Sequence, residues 1–546
     1  MKRLFFISAI LFVGLNIHSQ TPYWQWAKAG IGHNLTTSEG YSIANDVNGA
    51  SYIAGNFHDT LTFDTTILLP QNSSNANSYL VKYNSFGSVV WAKSFGGFGG
   101  RVKTDISGNV YLAGGFNNAA GTVSIGSYIL TSAGDHDIFI AKFDSSGNLQ
   151  WVKTAGGTKA ETVNDIECDM FGNIYVTGSF YSPIISFGSS SLTNSSSAGN
   201  ISNVFIAKYN PSGNIIWTKG ALENASDYLL GITNDNIGNV LITGYFESTT
   251  INFGITTLSL IGTGNSFLVK LDSSGNEIWA ISIGSSSFVR VGEDIITNSS
   301  RDIYVVGATT IVSNQNCNAI LMKYDSFGNL QWIKSSLTNN SSYGSSIALD
   351  ACENVFISGL MDNANHISFA TFNLPPIDTI YNDNMFLAKF DSNGTVLWAE
   401  VLGGGGDDMN SISSDLVGNI YVTGDFIPMQ FIIGNDTLIN TCNESPFIAK
   451  LYFPCFIGQQ IPETQNSNTE IIISPNPFTY QTTITFNEAQ KNTTIKITDI
   501  FGKEIKTIKF TGRQLIIEKA EMEAGIYFVQ TTDEQKHICN KKIIIQ

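Results

Sequence analysis

The chain has 546 residues and is acidic, with 45 Asp+Glu against 29 Lys+Arg and a formal net charge of −16. That balance argues against a nucleic-acid binder, because neutralising phosphates needs a basic surface. Only 14% of residues are charged while 12% are aromatic and 51 are glycine, which excludes a disordered chain or a helical bundle and fits an all-β protein with many turns.

Residues 1–19 begin with Lys2 and Arg3, continue in an apolar run from Leu4 to Ile17 and offer small Ser19 for cleavage. This is the pattern of a secretory signal peptide, too short to span a bilayer comfortably. No cysteine follows at once to carry a lipid anchor, and no later segment is apolar enough to cross a membrane. The expectation is a secreted or cell-surface protein that passes through the periplasm, with no transmembrane segment after signal removal. TPYWQWAKAG (21–30) comes next and reads as a strand with no unit before it.

A repeat of 50–66 residues then dominates. Tryptophans recur at Trp26, Trp91, Trp151, Trp217, Trp279, Trp332 and Trp398. Between them lie segments such as GNVYLAG (108–114) and GNIYVTG (172–178), and then segments such as FIAKFD (139–144) and FLVKLD (267–272). Each signature occurs seven times and reads as a strand, rich in β-branched and aromatic residues and bounded by Gly, Asn, Asp or Ser. A short apolar run ending in Asp, such as SIAND (42–46), precedes each GN-x-Y strand and makes four strands per unit. DSSGN (144–148) joins the third strand to the fourth by a tight hairpin, with Asp144 bonding the backbone ahead and Gly147 supplying positive φ. The tryptophan that follows is a large apolar plate for the neighbouring unit. No cofactor is expected. Calcium is the sharper alternative for DxxGN, but the turn lacks further oxygen ligands at regular spacing.

The ends of the repeat indicate a closed ring. The last unit, ending FIAKLYFPC (447–455), lacks a tryptophan strand, and the N-terminus has one to spare. An open stack would leave an unpaired edge. The predicted fold is all-β: a seven-bladed β-propeller of four-stranded blades over residues 20–456, closed by the N-terminal strand. The turn D-x-x-G-N-x-x-W and the strands G-N-x-Y-x-x-G and F-x-A-K-Y/F-D resemble the bacterial β-propeller repeat family abbreviated SBBP. The fifth unit departs most, since RDIYVVG (301–307) lacks the Gly-Asn pair. Cys442 and Cys455 bracket the end of the repeats and are a candidate pair among six sparse cysteines.

Residues 457–470 read as a polar linker. Residues 471–546 carry net charge +2 against −18 for the rest and show seven short strand-like runs between turns. They are expected to form a small C-terminal β-sandwich. The segments SPNPF (474–478), IFGKEI (500–505) and AGIYFVQ (524–530) and the final Lys541-Lys542-Ile-Ile-Ile resemble the type A sorting domain of the Bacteroidota type IX secretion system. The resemblance implies recognition by the type IX machinery through residues 471–546, with Pro475, Asn476, Pro477, Gly502, Lys541 and Lys542 carrying the motif.

No HExxH, GxSxG or P-loop occurs, and the mature histidines are scattered. His58 and His136 share a class of connection and are weighed for zinc, with solvated loop positions the plainer account. In VLGGGGDDMN (401–410), Asp407 and Asp408 fall in an inter-blade connection, as does SFGGFGG (94–100) with Phe95 and Phe98. A binding site is expected on this loop face near the central channel, Asp407 and Asp408 meeting a cation or sugar hydroxyl and Phe95, Phe98 and Tyr181 stacking on sugar rings. The expectation is a binding or adhesion protein for an extracellular glycan or protein, with no catalytic residues and no metal site, and hence not an enzyme. The alternatives are a carbohydrate-active enzyme with carboxylates at the channel face and a structural component of a cell-surface layer.

Overall fold

The computed structural model describes residues 22–545 except 34–35, 72–75, 118–122, 196–200, 222–224, 263, 284–288, 311–316, 339–340, 363–365, 378–382, 404–408, 454–470, 475, 477, 479, 500–503, 520–521, 523–524 and 533–537. The signal-peptide residues and the 457–470 linker lie outside the described residues. The chain divides into two compact units at 457/458. Among the described residues there is no helix, and so none long and apolar enough to cross a membrane.

The larger unit is a β-propeller arrangement built from four-stranded antiparallel sheets. The first sheet comprises Ser38–Asn45, Ser51–Phe57, Asn77–Tyr83 and Val89–Gly96. The second comprises Phe98–Thr104, Val110–Phe116, Asp137–Phe143 and Leu149–Ala155, and the third Glu161–Cys168, Ile174–Phe180, Asn203–Tyr209 and Ile215–Ala221. The fourth to sixth sheets begin at Asp227–Asn234, Val289–Thr297 and Ser342–Leu349 and follow the same order. The seventh combines Ser411–Ser414, Ile420–Phe426 and Ser445–Tyr452 with Tyr23–Ala29, the spare N-terminal strand, as its outer member. Trp26 pairs with Lys450 and Ala27 with Ala449.

In each sheet the second and third strands lie in the middle and are covered on both faces by neighbouring sheets. Ile174–Phe180 is buried at every position, so its sequence is a continuous apolar run rather than an alternation. The first strands follow one another around the centre, tied by short cross-sheet bonds. Val102 N donates to Ser42 Oγ (3.1 Å), Ile412 N to Ser346 Oγ (3.2 Å), and Ile43 N to Ser411 Oγ (3.3 Å), the last joining the seventh sheet to the first.

The third-to-fourth strand turns lock sheet to sheet. In 144–148 the Asp144 carboxylate accepts Ser146 N, Asn148 N and Asn148 Nδ2, and Gly147 adopts φ 81°. A Cβ on Gly147 would lie 2.9 Å from the Trp91 ring of the preceding sheet. Trp91 Nε1 and Lys82 Nζ both donate to Ser145 O of that turn. The first-to-second strand turns repeat the device below the channel: Asp105 accepts Ser107 N, Asn109 N, Asn109 Nδ2 and the Tyr111 hydroxyl. The fifth unit keeps this turn without its glycine, because Arg301 takes φ 67° and Asn298 Oδ1 accepts Asp302 N.

Three findings depart from the sequence reading. Among the described residues, six second-to-third strand connections carry an additional small hairpin, such as Leu61–Phe63 with Thr66–Leu68 and Ile184–Ser186 with Ser191–Thr193, whose Leu61, Phe63 and Ile185 are buried. Cys442 is a free thiol that donates to Glu444 O at 3.0 Å, which overturns its pairing with Cys455, while Cys352 is disulfide-bonded. In the C-terminal unit, the seven expected short strands are five, in one hydrogen-bonded sheet. Gln481–Asp499 and Glu504–Glu518 each run through what the sequence divides in two, with register shifts between Thr485 and Thr493 where they bend. Ile484, Ile495, Ile497, Ile517, Val529 and Ile543 form the core of this unit.

Candidate functional site

The first strands of the first six sheets contain a bulge, and the bulge decides what reaches the channel. An extra residue is inserted before Ser42, Asp165, Gly231, Ser346 and the positions equivalent to them, which re-aims the backbone there. The position just after the bulge, and the one level with it in the seventh sheet, holds in turn Ser42, Arg101, Asp165, Gly231, Asp294, Ser346 and Ser411. Four of these are small and nearly neutral; three are charged. Two cavities, of about 550 and 360 Å³, share Ser42, Asp165, Asp294, Ser346 and Ser411 and together make up the channel.

The charged three form an electrostatic cluster. Asp165 Oδ2 accepts Ile232 N at 3.0 Å, and Asp294 Oδ2 accepts Ser346 Oγ at 2.9 Å and Ile347 N at 3.0 Å. These bonds hold both carboxyls in the channel wall. Burial pushes Asp165 up to about 7, the Asp294 carboxylate adds to the rise, and Arg101 and Lys103 oppose it. Burial also raises Asp294, against the hydrogen bonds it accepts from Ser346 and the backbone. Arg101 is fixed by donation from Nε to Asn164 O (2.7 Å) and from Nη1 to Tyr41 O (3.1 Å). One level down, burial alone would lower Lys103, but the Glu167 carboxylate 2.7 Å away outweighs it and holds the ammonium above its ordinary range.

The loop-side mouth has its own polar set. Tyr41 donates its hydroxyl to Glu39, and burial with that bond pushes the phenol above its usual range. Asn56 Nδ2 reaches the same hydroxyl at 3.3 Å, and Asn410 Nδ2 donates to Asp425 Oδ1 at 2.9 Å. The arrangement can bind and orient hydroxyl groups, and at Asp165 it can accept or release a proton near neutrality.

The residues singled out in sequence lie elsewhere or serve packing. Asp407 and Asp408 lie outside the described residues. Phe95 is a correction: it is 4% exposed and packs on Phe143 with centroids 5.4 Å apart, because 94–100 is no loop but two strands joined through Gly97. Phe98 is half-buried and edge-on to the His136 ring at 5.1 Å. His58 Nδ1 lies 3.2 Å from Thr37 O and His33 Nε2 3.1 Å from Thr62 Oγ1, on the first unit. Trp26, Trp91, Trp151, Trp217, Trp279 and Trp332 each meet the turn glycine of the following sheet, and Trp398 meets Phe453. Pro475, Pro477 and Gly502 lie outside the described residues; Asn476 is exposed, and Lys541 and Lys542 pair with Val529 and Phe528 in the last strand. The channel cluster itself escaped the sequence reading. Its signal is the register column that changes from Ser or Gly to Arg101, Asp165 and Asp294.

Residues 473–546 match the family of secretion system C-terminal sorting domains. The chain is therefore a secreted or cell-surface β-propeller protein whose tail addresses it to the type IX secretion machinery. A WD repeat-containing protein of Acanthamoeba polyphaga mimivirus is 21% identical over 529 aligned residues, covering 78% of this chain and 38% of that protein. The chain thus spans well under half the length of that relative. Among solved structures, a fungal alcohol oxidase of the AA5 family in complex with copper is similar at TM-score 0.40 and 11% identity, over 95% of this chain and 99% of the other. An ulvan lyase of polysaccharide lyase family PL25 is similar at TM-score 0.40 and 10% identity, over 74% and 93%. The β-propeller domain of the trilobed protease from Pyrococcus furiosus is similar at TM-score 0.31 and 10% identity, over 61% and 91%. The expectation that the chain is not an enzyme is corrected here. Its structural neighbours include a polysaccharide lyase and an alcohol oxidase. Identities of this size assign neither activity to it.

Proposed function

We propose that this chain is an exported seven-bladed β-propeller with SBBP-type repeats that binds a glycan in its central channel from the loop face. In this reading residues 1–19 direct it to the periplasm, 20–456 form the closed ring, 457–470 link it to the tail, and 471–546 fold as a sorting β-sandwich. The observation that carries the binding site is the single register level at which Arg101, Asp165 and Asp294 replace small residues. Charged groups taken out of water are costly unless they are paired and hydrogen-bonded, and the bonds that hold these three leave them facing a polar cavity rather than an apolar core. Ring closure is supported by the pairing of Tyr23–Ala29 with Ser445–Tyr452 and by the bond from Ile43 to Ser411.

The test is affinity of the purified protein for a panel of plant, algal and host glycans, with reducing ends assayed in the same samples. Asp165→Asn and Asp294→Asn keep the acceptor atoms of the wall and remove the charge. Loss of binding in these variants at unchanged melting temperature supports the site, and unchanged binding overturns it. A second reading, glycan cleavage, is favoured by one observation, the Asp165 carboxyl pushed up to about 7 beside a second carboxyl and an arginine. Release of reducing ends that is lost in Asp165→Asn would establish that reading.

A further inference from the structure

The channel mouth is chemically two-sided. The register position three before the channel ring holds Glu39 in the first sheet, Thr162 in the third, Tyr228 in the fourth and Tyr343 in the sixth, paired with Asn56, Ser179, Tyr245 and Leu360. Tyr343 lines the larger cavity and is 43% exposed. Tyr228 occupies the same level two residues from Leu230, which also lines that cavity. It stacks on Tyr245, its cross-strand partner, with centroids 4.6 Å apart and planes 18° apart. Tyr245 is 8% exposed and so is the buried support, leaving Tyr228 the outer ring of a rigid two-ring plate. On the first and seventh sheets the same mouth carries Glu39, Tyr41, Asn410 and Asp425 in one hydrogen-bonded array. Deeper in the cavity stand Glu293, Asp165, Asp294 and Arg101, with Lys103 one level further down.

We propose that the mouth selects an uncharged saccharide, with Tyr228 and Tyr343 as stacking faces and the Glu39–Asp425 side as hydroxyl acceptors. This rests on the glycan-binding reading and narrows it. Pyranose rings present apolar C–H faces that lie flat on aromatic plates, and a plate already held by a second ring loses little freedom on binding. Carboxylates accept hydrogen bonds from sugar hydroxyls, whereas they repel a uronate or sulfate brought to the same place.

The experiment is calorimetric titration of the full mature protein with two neutral polysaccharides, a β-glucan and a galactomannan, and two acidic ones, alginate and a carrageenan. A neutral polysaccharide should bind at least about tenfold more tightly than either acidic one. Tyr228→Ala should weaken neutral binding by about tenfold, as expected for loss of a stacking face, and Tyr228→Phe should keep it. Glu39→Gln should raise affinity for the acidic chains. Tighter binding of alginate or carrageenan overturns the selectivity, and neutral binding indifferent to Tyr228→Ala overturns the plate. Silence from all four polysaccharides, with a folded protein, overturns the glycan reading and this inference with it.

Discussion

Phe453 stands over Trp398 with ring centroids 5.8 Å apart, in the place where the other six repeat tryptophans meet a turn glycine. The reason is topological. The seventh sheet takes its outer strand from the N-terminus, so no third-to-fourth strand turn exists there to cover the tryptophan of the sixth. Phe453 fills the gap, held by Phe356 at 5.6 Å and by the Lys389 ammonium 3.5 Å from its ring centroid.

Phe453→Ala should therefore loosen this seam. Complete burial would put the cost at 3–5 kcal/mol, and for a half-buried ring about 2 kcal/mol is expected. Phe453→Leu should recover part of it. Denaturant unfolding of the two variants is the check, and equal midpoints for wild type and Phe453→Ala would remove Phe453 from the seam.

Arg301 holds φ 67° in a turn that uses glycine in five other units and Glu353, at φ 60°, in the sixth. The left-handed conformation costs a side-chain-bearing residue roughly 1–2 kcal/mol, partly offset by the larger unfolded-state freedom of glycine. Arg301→Gly should stabilise the protein by about 0.5 kcal/mol, read as a higher urea midpoint at unchanged slope. A loss of stability would mean that the arginine side chain makes contacts worth more than the strain.

Stability should fall as pH rises. Asp137 stands where the first, third, fourth and sixth sheets place Asn77, Asn203, Asn265 and Asn384. Among the described residues its Oδ1 and the Oε1 of Glu161 have no hydrogen-bond donor. Burial pushes Glu161 up to about 7 and raises Asp137, as it raises Asp165. The folded state thus binds more protons than the unfolded chain between the ordinary carboxylate range and about 7. The melting temperature should be highest below that window, decline through it and level off above it. Glu161→Gln, which gives Asp137 an amide donor, should flatten the decline; a profile rising through the window would contradict the assignment.

Lys270 donates to the Asp235 carboxylate at 2.9 Å with both side chains almost fully buried. Lys270→Met leaves the carboxylate without its cation and should cost about 3 kcal/mol. Adding Asp235→Asn should return much of that loss, giving a coupling energy that a double-mutant cycle measures.

The strands were legible because each unit writes them in the same β-branched and aromatic letters between the same turns. The small hairpins were not, since three-residue strands such as Val123–Ile125 are too short to show an alternation. The channel site was hidden for a different reason. VNDIECD (163–169) reads as an ordinary strand, and only the bulge before Asp165 turns that carboxyl to the channel. Phe95 misled because glycine-rich SFGGFGG looks like a loop, although Gly97 serves the close approach of two strands: a Cβ there would meet Gly115 O at 2.6 Å. In the tail, strand bending cannot be told from strand ending by composition alone, so Gln481–Asp499 reads as two runs.

The pairing of Tyr23–Ala29 with Ser445–Tyr452 imposes an order on biogenesis. A chain threaded N-terminus first must keep its opening strand waiting, edge bare, until residue 445 has emerged. The sorting segment 473–546 lies beyond that point. Any molecule long enough to display its export address already contains both halves of its clasp, so prematurely terminated products forfeit the address together with the clasp.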